Sequence, residues 1–136
     1  MSETSEKHHG GCLCGAVRYT INGAPTYAGH CHCRDCQRAI GASFVTWIGV
    51  KYDNFEVTEG EIAYCNTSPG FRRGFCGRCG SSLTGGGEQW DELGITAASL
   101  DDPAIAKPTS NVYLDHLQPW VKLDDSLKQF QKFPFS

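Results

Sequence analysis

The chain has no apolar run long enough to cross a bilayer, no basic stripe and no basic amphipathic helix. The first absence excludes a helical membrane span. The others leave no electrostatic footprint for nucleic acid or a membrane surface. Net charge is −3, with both signs interspersed. Met1 to His9 is polar and charged and lacks the apolar stretch of a secretory signal. It reads as an N-terminal tail (residues 1–9) ahead of a single domain over residues 10–136. Internal repeats, low-complexity segments and linkers are also missing, so 136 residues argue for one domain with a modest core. These absences predict a cytoplasmic protein. In that reducing compartment clustered thiols are metal-binding or catalytic rather than disulfide-bonded.

Long stretches of 3.6-residue period are scarce, and glycine is abundant at 16 residues. Frequent turn signals and short alternating runs then predict a mainly β fold. Val17–Ile21 alternates apolar and polar as a half-buried strand does, and Ser43–Val50 is rich in β-branched and aromatic residues. Ile62–Cys65, Phe71–Phe75, Leu93–Ala98 and Asn111–Leu114 are further strand candidates. A helical turn is expected between Cys33 and Ala39, and a short helix over Leu123–Phe130. The loop from Asp101 to Pro108 is the expected mobile connection.

What the chain has in quantity is cysteine, and seven of its eight cysteines fall in three tight clusters: Cys12-x-Cys14, Cys31-x-Cys33-x-x-Cys36 and Cys76-x-x-Cys79. Spacings of one or two residues let adjacent sulfurs converge on one ion, and zinc takes four ligands in a tetrahedron. Cys76-x-x-Cys79-Gly80 has the form of a zinc knuckle, its glycine permitting the positive φ of the tight turn. Cys12-x-Cys14-Gly15 is its natural partner. Four thiolates around Zn²⁺ leave a local charge of −2 and a poor Lewis acid, so this is expected to be a structural site whose binding energy is folding energy. The competing reading, a redox dithiol at Cys76 and Cys79, lacks a surrounding thioredoxin-like βαβ pattern.

Cys31, Cys33 and Cys36 supply only three sulfurs. Such a site is expected to be catalytic, with its fourth position open to a thiolate whose pKa the metal lowers. A fourth protein ligand from Cys65, His30 or His32 would close it. Cys65 otherwise reads as a free, partly buried thiol. His30 and His32 read as neighbours that hydrogen-bond around the ligands, His8 and His9 as tail residues, and His116 as a loop residue. Arg72 reads as a solvated strand residue. Arg73 either binds a substrate carboxylate or packs across the structural site. Trp47, Phe44 and Phe75 are expected in the core, and Trp120 on the sheet under the C-terminal segment. Trp90, after a glycine run, is expected in an exposed turn or over a pocket.

Cys12-x-Cys14-Gly15, Cys31-His32-Cys33-x-x-Cys36 and Arg73-x-Phe75-Cys76-x-x-Cys79-Gly80 together resemble the glutathione-dependent formaldehyde-activating enzyme family, which includes the C-terminal domain of centromere protein V. The resemblance runs from about Gly10 to Phe130, with support from Ser68-Pro69-Gly70, Asn111-Val112-Tyr113-Leu114 and Pro119-Trp120-Val121. It implies two layers of short antiparallel strands with long coil, distantly like methionine sulfoxide reductase B. It also implies a structural zinc on Cys12, Cys14, Cys76 and Cys79, and a catalytic zinc on Cys31, Cys33 and Cys36. The implied activity is a carbon–sulfur lyase step on glutathione and formaldehyde, giving S-hydroxymethylglutathione, or on a related thiol–carbonyl adduct. The expected partners are therefore a thiol and a small aldehyde. The alternative is a non-catalytic, zinc-stabilised interaction module.

Overall fold

The computed structural model describes residues 6–132. Strands dominate, in two sheets. The smaller has the order β1-β2-β5, from Lys7–Gly11 (β1), Arg18–Asn22 (β2) and Phe55–Glu59 (β5), and is antiparallel throughout. The larger has eight strands: Lys128–Gln129 (β11), Ser110–Val112 (β10), Tyr27–Cys31 (β3), Val45–Lys51 (β4), Glu92–Thr96 (β9), Ser82–Gly86 (β8), Phe71–Cys76 (β7) and Ile62–Ser68 (β6), in that spatial order. It is antiparallel from β3 to β6, and β10 lies parallel to both β3 and β11.

The core forms between the sheets because alternation places apolar side chains on one face of each. Tyr19 and Ile21 of β2 join Ile48 and Val50 of β4 and Ile95 of β9 in one buried cluster, with Phe55 5.3 Å from Tyr19, ring to ring. No helix among the described residues is long and apolar enough to cross a membrane. The one α-helix among the described residues, α1 (Arg34–Ile40), links β3 to β4. It starts at Cys33, whose Sγ accepts the Cys36 N–H at 3.2 Å, and stops at Gly41 in the left-handed conformation.

Several expectations need correction. His8 and His9 are not tail residues: both lie in β1, with His8 3.0 Å from the Glu6 carboxylate and His9 Nδ1 3.0 Å from the Thr20 hydroxyl. The helix expected over Leu123–Phe130 is absent. Asp124 accepts both the N–H and the hydroxyl of Ser126, which makes a turn, and the N–H groups of Lys128 and Phe130 then donate to Thr109 and Asn111 carbonyls. The Asp101–Pro108 connection contains a 3-10 turn at Pro103–Ile105 capped by Asp102. Trp120 does not pack on the sheet: it is 68% exposed, and its indole N–H donates to the Ser43 hydroxyl at 2.6 Å. Trp47, Phe44 and Phe75 are half-buried rather than core.

Candidate functional site

Two hairpin turns build the four-sulfur cluster. Cys12 and Cys14 lie between β1 and β2; Cys76 ends β7, and Cys79 lies in the turn to β8. Their four sulfurs are all within 4.8 Å of one another. Cys12 and Cys14 are 3.7 Å apart, and Cys14 and Cys76 3.9 Å. Four sulfurs about 2.3 Å from one zinc sit at the corners of a tetrahedron with edges of roughly 3.8 Å, so the donor set fits such an ion. Backbone N–H groups stabilise negative sulfur here: Val17 donates to Cys12 at 3.2 Å, and Arg78 and Cys79 donate to Cys76 at 3.3 and 3.4 Å. The Ser81 hydroxyl, 3.1 Å away, leads the Ser81 and Cys14 amides in holding the Cys79 thiol down to about 5. Gly15 and Gly80 both have φ of +82°, as the tight turns require.

One local segment builds the second cluster. Cys31 ends β3, Cys33 caps α1, and Cys36 lies in the helix's first turn. Their sulfurs also lie within 4.8 Å of one another. The Cys36 thiol sits well below its ordinary range: the Cys31 and Cys33 thiols donate to it, and Arg73 adds positive charge. The Cys31 thiol is pushed up by Cys33 and Cys36 and by burial. Of the three sulfurs, the one whose thiolate is favoured lies beside the guanidinium. Three sulfurs at this spacing could hold a metal ion and would leave a tetrahedral position over.

None of the three expected closers joins this cluster. Cys65 is exposed on β6. His30 Nδ1 is 2.9 Å from the Thr46 hydroxyl. His32 is 1% exposed, with Nε2 2.9 Å from Asn111 Oδ1 and Phe44 packed on its ring at 4.9 Å. Gln37 ties the segment to the C-terminal part of the chain by donating to the His32 and His116 carbonyls at 2.7 and 2.9 Å.

Arg73 packs on the three-cysteine cluster, not across the four-cysteine one. Its Nη2 donates to Cys36 Sγ at 3.6 Å, and its Cζ is 5.1 Å from the Phe71 ring centre. Register explains the reach. Cys65, Arg73, Gly85, Gly94 and Gly49 are successive partners across β6, β7, β8, β9 and β4. Directly paired residues share a face, and this one includes Trp47 and Cys31, which alternate with the core residue Ile48 and the half-buried His30. A Cβ at Gly85 would lie 3.0 Å from Phe71 and 3.2 Å from Trp47; one at Gly94 would lie 3.2 Å from Trp47. The glycines therefore seat the two rings that form the floor beside Arg73.

Two features escaped sequence reasoning. Tyr113 is the single non-glycine residue with positive φ among those described, at 59°, directly after the β10 residue paired with Cys31. Burial raises its phenol pKa, with the three cysteines adding to the shift. The second is a cleft of about 1050 Å³ lined by Tyr64, Phe71, Arg72, Thr84 and Trp90 among others, of which only Trp90's place over a pocket was foreseeable. Arg72 is not merely solvated: its guanidinium stacks on Tyr64 at 4.0 Å. Trp90, 40% exposed, meets Phe71 edge-on at 5.7 Å.

A family model described as glutathione-dependent formaldehyde-activating enzyme matches residues 7–116. Among curated proteins none matches. Among solved structures, the crystal structure of a Rhodobacter sphaeroides protein superposes with a TM-score of 0.57 at 18% identity, covering 90% of this chain and 98% of that one. At that identity the likeness concerns the fold alone.

Proposed function

Because the chain belongs to the glutathione-dependent formaldehyde-activating enzyme family, we propose that it is a zinc-dependent enzyme of the carbon–sulfur lyase type, with one structural and one catalytic metal site. Membership supports a role in glutathione and formaldehyde chemistry. The specific reaction in this reading joins the two to S-hydroxymethylglutathione, or handles a related thiol–carbonyl adduct. A carbon–sulfur bond forms, the carbonyl π bond opens, and the sulfur's proton ends on the oxygen.

The observation that carries the reading is the count of sulfurs. Cys12, Cys14, Cys76 and Cys79 would satisfy an ion completely, as a structural site requires. Cys31, Cys33 and Cys36 gather three sulfurs and no fourth protein ligand among the described residues. A zinc ion held there supplies a Lewis acid that lowers the pKa of a thiol or polarises a carbonyl oxygen. The chain's own residues prepare the position. The Cys36 N–H fixes Cys33 Sγ, and Arg73 sets positive charge beside Cys36. The buried His32–Asn111 contact holds the backbone between Cys31 and Cys33.

Exchange NMR of glutathione with formaldehyde tests the proposal. Zinc-loaded protein should accelerate formation of S-hydroxymethylglutathione, and Cys33→Ser should abolish the effect. No acceleration with two zincs bound would overturn the lyase reading and favour the interaction module.

A further inference from the structure

Arg73 makes a demand that the cysteines alone do not meet. It is half-buried, with Nη2 on Cys36 Sγ. Its Nε and Nη1 are shielded from water and have no acceptor. A guanidinium carries five N–H donors and does not deprotonate; the Cys36 sulfur takes one of them, which leaves the Nε and Nη1 donors to an acceptor brought from outside. No carboxylate is paired with it among the described residues. The charged residues of α1 do not supply one: Arg34 is turned to Gln37, and Asp35 is exposed. Arg73 also cannot swing away freely, because Phe71 lies under its Cζ and Gly85 seats Phe71. Its cross-strand partner on β6 is Cys65, which is exposed, and the Arg73 side chain as a whole is only half-buried.

We propose that Arg73 is the specificity-determining residue of the three-cysteine site, selecting thiols that carry a carboxylate over neutral or cationic thiols. The inference rests on the reading above for the thiol at that site and adds its charge class. The sulfur goes to the cluster, and the carboxylate lies toward the guanidinium. Opposite charges a few ångströms apart at a half-buried site differ in affinity from a like-charged pair by an order of magnitude or more.

The test uses three small thiols of nearly equal size on the zinc-loaded protein: mercaptoacetate, 2-mercaptoethanol and cysteamine, which are anionic, neutral and cationic away from sulfur. Binding is read by calorimetry, and by the visible spectrum of cobalt-substituted protein, where a new sulfur ligand changes the absorption. Wild-type protein should bind mercaptoacetate about 10-fold or more tighter than cysteamine. Arg73→Met should erase that order, and Arg73→Lys should keep it in weaker form. An unchanged order in Arg73→Met overturns the proposal. Equal affinities in the wild type overturn it too, whether or not the variant folds. Binding in the expected order without S-hydroxymethylglutathione formation overturns the lyase reading and leaves Arg73 its role. Lyase activity with thiol preferences indifferent to Arg73 overturns this inference alone. No binding of any of the three thiols overturns both.

Discussion

Cys33 and Cys76 both contribute sulfur to a cluster, yet their loss should have different consequences. Cys76 is 1% exposed, belongs to the apolar core cluster and accepts two backbone N–H bonds. A structural zinc site contributes about 10–16 kcal/mol in isolated fingers, against a total stability of about 5–15 kcal/mol for a domain. Cys76→Ser should therefore leave little folded protein at 25 °C by circular dichroism. Cys33 sits at the helix N-cap, and serine is a preferred cap. Cys33→Ser should lose about 1 kcal/mol or less in urea unfolding while losing one metal ion per chain by mass spectrometry. Equal losses of stability in the two variants would contradict the division between the sites. The cysteine clusters were legible in the sequence because ligand spacing is a local property. Arg73's place was not, because only the pairing of β7 with β8 brings its face round to Cys36. Its neighbour Gly85 makes a further prediction: Gly85→Ala pushes a Cβ to 3.0 Å from Phe71. The displaced ring should cost about 1–3 kcal/mol in chemical denaturation, and an unchanged midpoint would show that the floor gives way freely.

Among the elements, those legible in the sequence carried their own pattern. β2, β4, β6, β7 and β9 alternate or are rich in β-branched and aromatic residues, and each lies within a few residues of its expected span. β8, Ser-Leu-Thr-Gly-Gly, escaped because glycine is a poor strand former on its own. It is held by two neighbours, and its glycines are there for the rings above them. β11 escaped because two residues hydrogen-bonded to β10 leave no periodic trace, and Leu123–Phe130 read as helix until Asp124 spent its carboxylate on Ser126. Another link between elements is electrostatic. Arg18 of β2 grips Asp101 through both carboxylate oxygens, beside the Gly10–Leu100 bridge. The hydrogen bonds and charge of Arg18 lower the Asp101 pKa. A lowered carboxylate pKa gives stability that is present above the unfolded value of about 3.9 and is lost as pH falls through the folded value. Both partners are substantially exposed, at 32% and 53%, so screening limits the pair to about 1 kcal/mol or less. Asp101→Asn should cost that much at pH 7 and progressively less as pH falls below about 3.9, the penalty vanishing once the folded carboxylate is protonated. A penalty that persists in acid would assign the residue a packing role instead.

For the molecule as a whole, the two clusters differ in what they join. The four-cysteine cluster brings the β1–β2 turn of the small sheet against the β7–β8 turn of the large one, with Cys14 and Cys76 62 positions apart in sequence. Closing so long a loop removes chain entropy from the unfolded state and holds the two layers over one core. The three-cysteine cluster spans six residues at the end of β3 and the start of α1, so it closes almost nothing. Metal removal should therefore proceed in two stages. A mild chelator should strip the ion of the three-cysteine site, whose fourth position is open to it, and change amide exchange only around residues 31–36. A strong chelator with heating should then release the second ion, and protection should collapse together in β1, β2, β7 and β8, on opposite layers of the fold. Measured by hydrogen exchange with metal counted at each stage, two ions leaving together would mean that both sites are closed. Collapse of β3 and α1 ahead of the two turns would place the structural role at Cys31, Cys33 and Cys36 instead.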